Sequence, residues 1–305
     1  MADASPFEYD PEILARTSTL KIHAINLVEG ILSGQHRSPH KGSSVEFAEY
    51  KDYSPGDDIR HIDWKVVGRT DKYHIKQFEQ STNLKCTLLL DCSGSMGYQS
   101  PLKHPEGLSK MDYARTLAAA LAYLLLKQFD AVGLTTFSAS VVQHIPPRSK
   151  PSHFQHIVHG LGATRFEGVT RLKNTVSELI ERLPRRGLLI LISDMLCRDE
   201  DALKTLKLLA SKGLEVVLLH VMHPDEVSFP FDGDVVFESL EDDPAVGLDP
   251  VEVREPYQRL VRGMIENYQT NCPSLGIDYL FLETSLPLDQ ALRYFLLRRR
   301  SFTKV

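Results

Sequence analysis

Two runs of unbroken apolar residues, Leu88-Leu89-Leu90 and Leu188-Leu189-Ile190-Leu191-Ile192, each lead to an aspartate, Asp91 and Asp194. A half-buried strand alternates apolar and polar residues; a strand covered on both faces reads as a continuous apolar run, and such strands belong to parallel sheets clothed by helices. The surrounding chain has that rhythm. Strand-like Lys85–Asp91, Ala131–Phe137, Leu188–Asp194 and Leu214–Val221 are separated by helical patterns at 109–129, 152–159, 168–183 and 199–212. Strands alternating with helices predict an α/β fold, a doubly wound, mostly parallel sheet with helices on both faces. Val141–Ile145 follows Ala131–Phe137 closely enough to be a short antiparallel edge strand. Residues 222–249 are acidic, contain Pro and Gly, and predict a hairpin excursion. The rhythm resumes with a helix near 251–271, a strand at Ile277–Leu282 and a closing helix from Leu288.

Ahead of this body, Leu20, Ala24, Leu27, Val28 and Ile31 recur at mostly three- and four-residue spacings, an amphipathic helix whose apolar stripe needs a partner. Val45–Tyr53 and Tyr73–Gln80 read as extended pieces broken by the turn Ser54-Pro55-Gly56-Asp57. The expected organisation is a helix over 1–34, a small β-rich attachment over 35–84, and the main domain over 85–305.

Composition removes several function classes. A net charge of −5 on 305 residues, spread through mixed-sign stretches, provides no basic face for a phosphate backbone, so no nucleic acid is expected as partner. Cys86, Cys92, Cys197 and Cys272 form no CxxC pair, which favours reduced thiols and a cytoplasmic setting over disulfides or zinc. Neither a signal peptide nor an apolar run approaching the ~20 residues of a membrane span is legible.

In an open α/β sheet, ligands collect at the carboxyl ends of strands. Asp91 is such an end, and Ser93 and Ser95 follow it in a Gly-containing loop. Asp194 is a second end. Between them, Gly160-Leu161-Gly162-Ala163-Thr164 reads as a glycine-rich turn carrying a hydroxyl, with Thr170 six residues further on. Hydroxyls and two carboxylates make an all-oxygen set suited to a hard divalent cation, magnesium first, manganese or calcium next. With so few carboxylates, the ion would keep an open position for an acidic group from a partner.

These residues are similar to the metal-ion-dependent adhesion site of von Willebrand factor A domains: Asp91-x-Ser93-x-Ser95, the threonine loop and Ile192-Ser193-Asp194 resemble its three loops. The resemblance implies a von Willebrand factor A-type fold in which Ser93 and Ser95 bind the ion directly, Thr164 directly or through water, and Asp91 and Asp194 mainly through waters. A second resemblance precedes it. Tyr53-Ser54-Pro55-Gly56-Asp57-Asp58-Ile59-Arg60-His61-Ile62-Asp63-Trp64 is similar to the signature of a bacterial family catalogued as domain of unknown function fifty-eight, which carries this motif before an A-type domain. Members resembling this chain are associated with MoxR-type AAA+ ATPases. That implies an adaptor or partner in chaperone or complex-maturation work, bound to the ATPase or its client.

Plainer readings compete at each feature. Asp57–Trp64 can be a turn whose Asp57 caps the next residues. His153, His156 and His159 lack an acidic partner and fit a solvated helix face better than a metal site. Cys92 has no histidine placed to activate it. The expected protein is therefore a metal-dependent interaction module with no catalytic residues. The alternative is a metal-assisted hydrolase or phosphotransferase on the same ion, against which stands the lack of a legible general base or GxxxxGK[ST] loop.

Overall fold

The computed structural model describes residues 11–35, 47–52, 74–78, 84–102, 108–197, 202–233, 235–241 and 246–302. The chain forms two compact units, 33–83 and the remainder, 1–32 with 84–305. The N-terminal helix α1 (Pro11–Gln35) thus falls almost wholly within the larger unit. It buries Leu20, Ala24, Val28 and Ile31, the three- and four-residue stripe, in that unit's core. At its solvent edge Glu29 accepts hydrogen bonds from Tyr123 (2.9 Å) and Lys127 (2.6 Å). The smaller unit contains an antiparallel pair, β1 (Phe47–Asp52) and β2 (His74–Phe78), with Tyr50 opposite Lys76. The Asp57–Trp64 motif lies outside the described residues.

In the larger unit the elements run β3 (Lys85–Asp91), α2 (Lys110–Lys127), β4 (Ala131–Phe137), β5 (Val141–Arg148), α3 (His153–Ala163), α4 (Leu172–Leu179), β6 (Gly187–Ser193), α5 (Ala202–Ser211) and β7 (Leu214–Met222). They continue as α6 (Pro224–Ser228), a small hairpin of β8 (Val235–Phe237) and β9 (Val246–Leu248), α7 (Pro250–Ser274), β10 (Ile277–Glu283) and α8 (Leu288–Phe302). Six strands form one sheet in the order β10-β7-β6-β3-β4-β5, parallel throughout except for the antiparallel edge β5. Among the described residues no helix is long and apolar enough to cross a membrane.

Alternate residues of each apolar run enter opposite cores, which is why the runs are unbroken. Leu88, Leu90, Ile190 and Ile192 join the core beneath α1, α2 and α8; Leu89, Leu189 and Leu191 join the one beneath α4, α5 and α7. The chain leaves β3 toward β4 on one side and returns to β6 on its other side. Such a reversal of winding opens a crevice at the carboxyl ends of the two strands. Asp91 ends β3, and Asp194 follows β6 directly.

Gly160 and Gly162 lie inside α3, so the expected glycine-rich turn is helix. Their role is close approach: a Cβ on Gly162 would lie 2.6 Å from Thr17 Oγ1 of α1, and one on Gly160 2.8 Å from Ile145 Cδ1 of β5. A helical glycine costs ~1 kcal/mol relative to alanine, and here it permits that close approach.

Candidate functional site

Every side chain at the crevice is fixed by a neighbour. Asp91 is fully buried, and its Oδ1 accepts the Ser93 amide (3.0 Å), as expected for an aspartate that shapes its own loop. Its Oδ2 accepts the Ser193 hydroxyl (2.6 Å) and the Thr170 hydroxyl (3.1 Å). Ser93 Oγ and Ser95 Oγ lie 3.1 Å apart. Ser95 also helps to hold the Asp194 carboxyl below the usual range, after Lys110 and the Leu196 amide. The loop itself is tied down by Cys92 N to Phe137 O (2.7 Å), Gly94 N to Gly168 O (2.8 Å) and Glu167 N to Cys92 O (3.0 Å).

Of the five residues expected here, Asp91, Ser93, Ser95 and Asp194 come together and Thr164 does not. Because α3 runs through Ala163, Thr164 is its C-terminal cap, its hydroxyl donating back to Gly160 O (2.7 Å) while its carbonyl accepts from Arg115. Thr170, six residues further on and 2 % exposed, is the threonine that meets Asp91.

Two residues that the motif did not reveal complete the site. Lys110, at the first turn of α2, is wholly buried and places its ammonium 2.7 Å from Asp194 Oδ2 and 2.5 Å from Glu226 Oε1. Burial opposes its charge, yet the two carboxylates hold the amine protonated above its ordinary range. Glu226 belongs to α6, where its other oxygen accepts the His223 amide (2.8 Å) in a capping box. Beneath Asp194, His220 donates from Nε2 to the aspartate's carbonyl (2.9 Å) and accepts from Tyr279 at Nδ1 (2.8 Å). Burial lowers this imidazole to about 4, so it is a neutral prop.

The carboxylates titrate in opposite directions. Although burial alone would raise Asp194, Lys110 holds it below the usual range; burial and the nearby Asp194 charge raise Asp91 to about 6. A raised carboxyl means that the folded state keeps a proton which the unfolded chain has released. Its stabilising contribution is present below the ordinary carboxylate pKa and lost as pH rises from about 4 to 6. Asp91→Asn should remove that loss. In chelator, the variant should gain up to about 3 kcal/mol over wild type between pH 4 and 7, measured by urea unfolding. Equal pH slopes for the two proteins would rule out an ionisation cost at Asp91.

Cys92 is 2 % exposed, its thiol donates to Phe137 O (3.1 Å), and burial pushes it up to about 12, which suits a structural thiol. His153 is buried and stacked on exposed His156, so only part of that histidine face is solvated. Among the described residues no group of three or more His, Cys, Asp or Glu is disposed to hold a metal ion. Any ion in the crevice therefore depends on the serine hydroxyls.

The family model described as "Protein of unknown function DUF58" matches residues 49–266. Uncharacterized proteins of Mycobacterium tuberculosis and Mycobacterium bovis are each 27% identical over 298 residues, covering 95% of this chain and 91% of theirs. Among solved structures, a conserved hypothetical protein BatB from Bacteroides thetaiotaomicron aligns at 17% identity and a TM-score of 0.44, over 72% of this chain and 99% of that one. The VWA domain of SpRpn10 aligns at 9% identity and a TM-score of 0.39, over 68% and 93%.

Proposed function

From the chain's membership of the DUF58 family, which the match over residues 49–266 establishes, we propose that it is a protein-interaction module whose crevice holds a divalent cation for a partner's carboxylate. The observation that carries this is the pair of serine hydroxyls, 3.1 Å apart between two buried carboxylates. An octahedral magnesium ion with oxygens at about 2.0–2.1 Å sets neighbouring ligands roughly 3 Å apart, the spacing the serines already have. Ser93 and Ser95 would hold the ion, with Asp91, Asp194 and Thr170 behind them. When bound, the ion supplies a positive centre able to take an anionic oxygen from outside. Its charge also offsets the two aspartates, whose mutual repulsion adds to burial in raising Asp91.

The surroundings suit docking. Phe166 (48 % exposed) packs against the loop, a Cβ on Gly97 falling 2.5 Å from its ring, and Leu196 (37 % exposed) borders the cleft at Ser95. Large apolar side chains left exposed beside a polar centre are the composition of an interaction surface. The resemblance noted in the sequence makes a MoxR-type AAA+ ATPase, or its client, the first partner to test.

The ion is tested by heat. Wild type in millimolar magnesium should melt several degrees above wild type in chelator, since a ligand at 100 times its Kd adds about 2.7 kcal/mol. Ser93→Ala with Ser95→Ala should abolish the shift while costing about 1 kcal/mol per hydroxyl in chelator. No shift in wild type, or a shift that survives the double change, rejects the ion.

A further inference from the structure

The excursion after β7 begins on a firm base. Phe229, Phe231, Phe237 and Tyr257 form one aromatic cluster, and Arg254 donates to the carbonyls of Phe229 (3.1 Å) and Phe231 (2.6 Å). From there residues 238–241 cross the DxSxS loop. A Cβ on Gly94 would lie 1.9 Å from the Leu240 carbonyl oxygen and 3.3 Å from Glu241 Cγ. Only a residue without a side chain permits that approach. The crossing leaves a cleft of about 270 Å³ walled by Ser95, Tyr98, Leu196 and Glu226 on one side and residues 238–241 on the other.

The crossing also sets the charge at the entrance. Glu226, Glu238 and Glu241 line the cleft above the buried Asp91 and Asp194, and Lys110 is already engaged by Asp194 and Glu226. An acidic side chain approaching Ser95 meets a backbone carbonyl over Gly94 and carboxylates around it. Both sterics and charge oppose its entry while the segment lies there. Meanwhile residues 238–240 are exposed, Leu240 by 51 %, so this stretch buries little apolar surface. Few buried apolar contacts mark a segment that opens at low cost.

We propose that residues 238–241 are a strap closed over the 93–97 loop, which must lift before a partner's carboxylate reaches Ser95. The inference rests on the reading that a partner docks at this crevice, but the strap itself is tested without partner or ion.

Gly94→Ala is the selective probe. The backbone at Gly94 does not need glycine, because its φ lies outside the left-handed range, and its amide bond to Gly168 O is independent of the side chain. The new methyl group meets a backbone carbonyl that cannot rotate away, so the strap must move. By hydrogen exchange in chelator, amides of 238–241 and of 93–97 should exchange about tenfold or more faster in Gly94→Ala than in wild type, with β3 and α2 unchanged. Should that variant fail to fold, Leu240→Gly with Glu241→Gly loosens the strap from its own side, and 93–97 should again exchange about tenfold faster. Unchanged exchange in the folded variant, or wild-type 238–241 exchanging as fast as a free peptide, overturns the strap. Manganese is then added to both proteins and solvent-proton relaxation measured: a stronger enhancement per bound ion in Gly94→Ala supports the strap as a cover of the ion position, and equal enhancement overturns that role. Failure of manganese to bind either protein rejects the ion reading and leaves the exchange result to decide the strap.

Discussion

Replacing Lys110 by Met should destabilise the protein by about 3–5 kcal/mol, the largest single-residue effect expected outside the apolar cores. The volume is nearly kept, so the cost is electrostatic. Lys110 is wholly buried, with Asp194 at 2.7 Å and Glu226 at 2.5 Å, and its loss leaves one fully and one mostly buried carboxylate without their cation. Proton uptake by Glu226, which burial already raises, recovers part of the loss. Two further measurements separate charge from packing. Lys110→Met with Glu226→Gln should recover part of the stability, because it removes one of the stranded charges. Millimolar magnesium should stabilise Lys110→Met more than it stabilises wild type, because the ion then has Asp194 to neutralise as well. Urea unfolding within about 1 kcal/mol of wild type would falsify the view of Lys110 as an internal counter-ion.

The role of Lys110 also shows where the sequence stopped being readable. Strand-end aspartates can be found because a buried strand writes its whole length in apolar residues, and the six sheet strands of the larger unit follow from such local patterns. The antiparallel edge β5 and the helix–strand alternation were legible for the same reason. Lys110 is different. It stands one residue after the N-cap Ser109, where a lysine looks solvated, and its partners are 84 and 116 residues away. Nothing local records an ion pair that exists only once β6 and α6 are in place. The threonine was misplaced for a related reason: Gly160 and Gly162 look like a turn, whereas α1 and β5 press so close to α3 that glycine is required within a helix. With the helix extended to Ala163, Thr164 becomes a cap and Thr170 is carried to Asp91.

The acidic excursion was visible as a composition change, but its position over Gly94 was not. That position alters what the crevice offers an incoming group. Among the described residues, Asp194 and Glu226 share the buried cation Lys110, while the buried Asp91 and the strap's Glu238 and Glu241 add further negative charge around the crevice. Without a divalent ion the crevice favours cations and repels acids; an ion held by Ser93 and Ser95, as proposed, would offer an incoming carboxylate a positive centre. Under the proposed reading, ion occupancy would therefore reverse the sign of the partner that the site accepts.

Binding of the partner, with a MoxR-type ATPase as the first candidate, should accordingly be lost completely in chelator and restored by magnesium. Asp91→Ala and Asp194→Ala should lose it as well, Asp194→Ala at a stability cost because Lys110 then keeps only Glu226. Ser93→Ala with Ser95→Ala should lose it with the fold retained, which distinguishes loss of the ion from loss of the crevice. A pull-down with purified components, run with and without chelator on folded variants, makes the measurement. Partner retained equally in chelator by the wild type would move the contact to a surface that needs no ion. The exposed Phe166 and Leu196 would then be the residues to change next, since they border the same loop without depending on its charge.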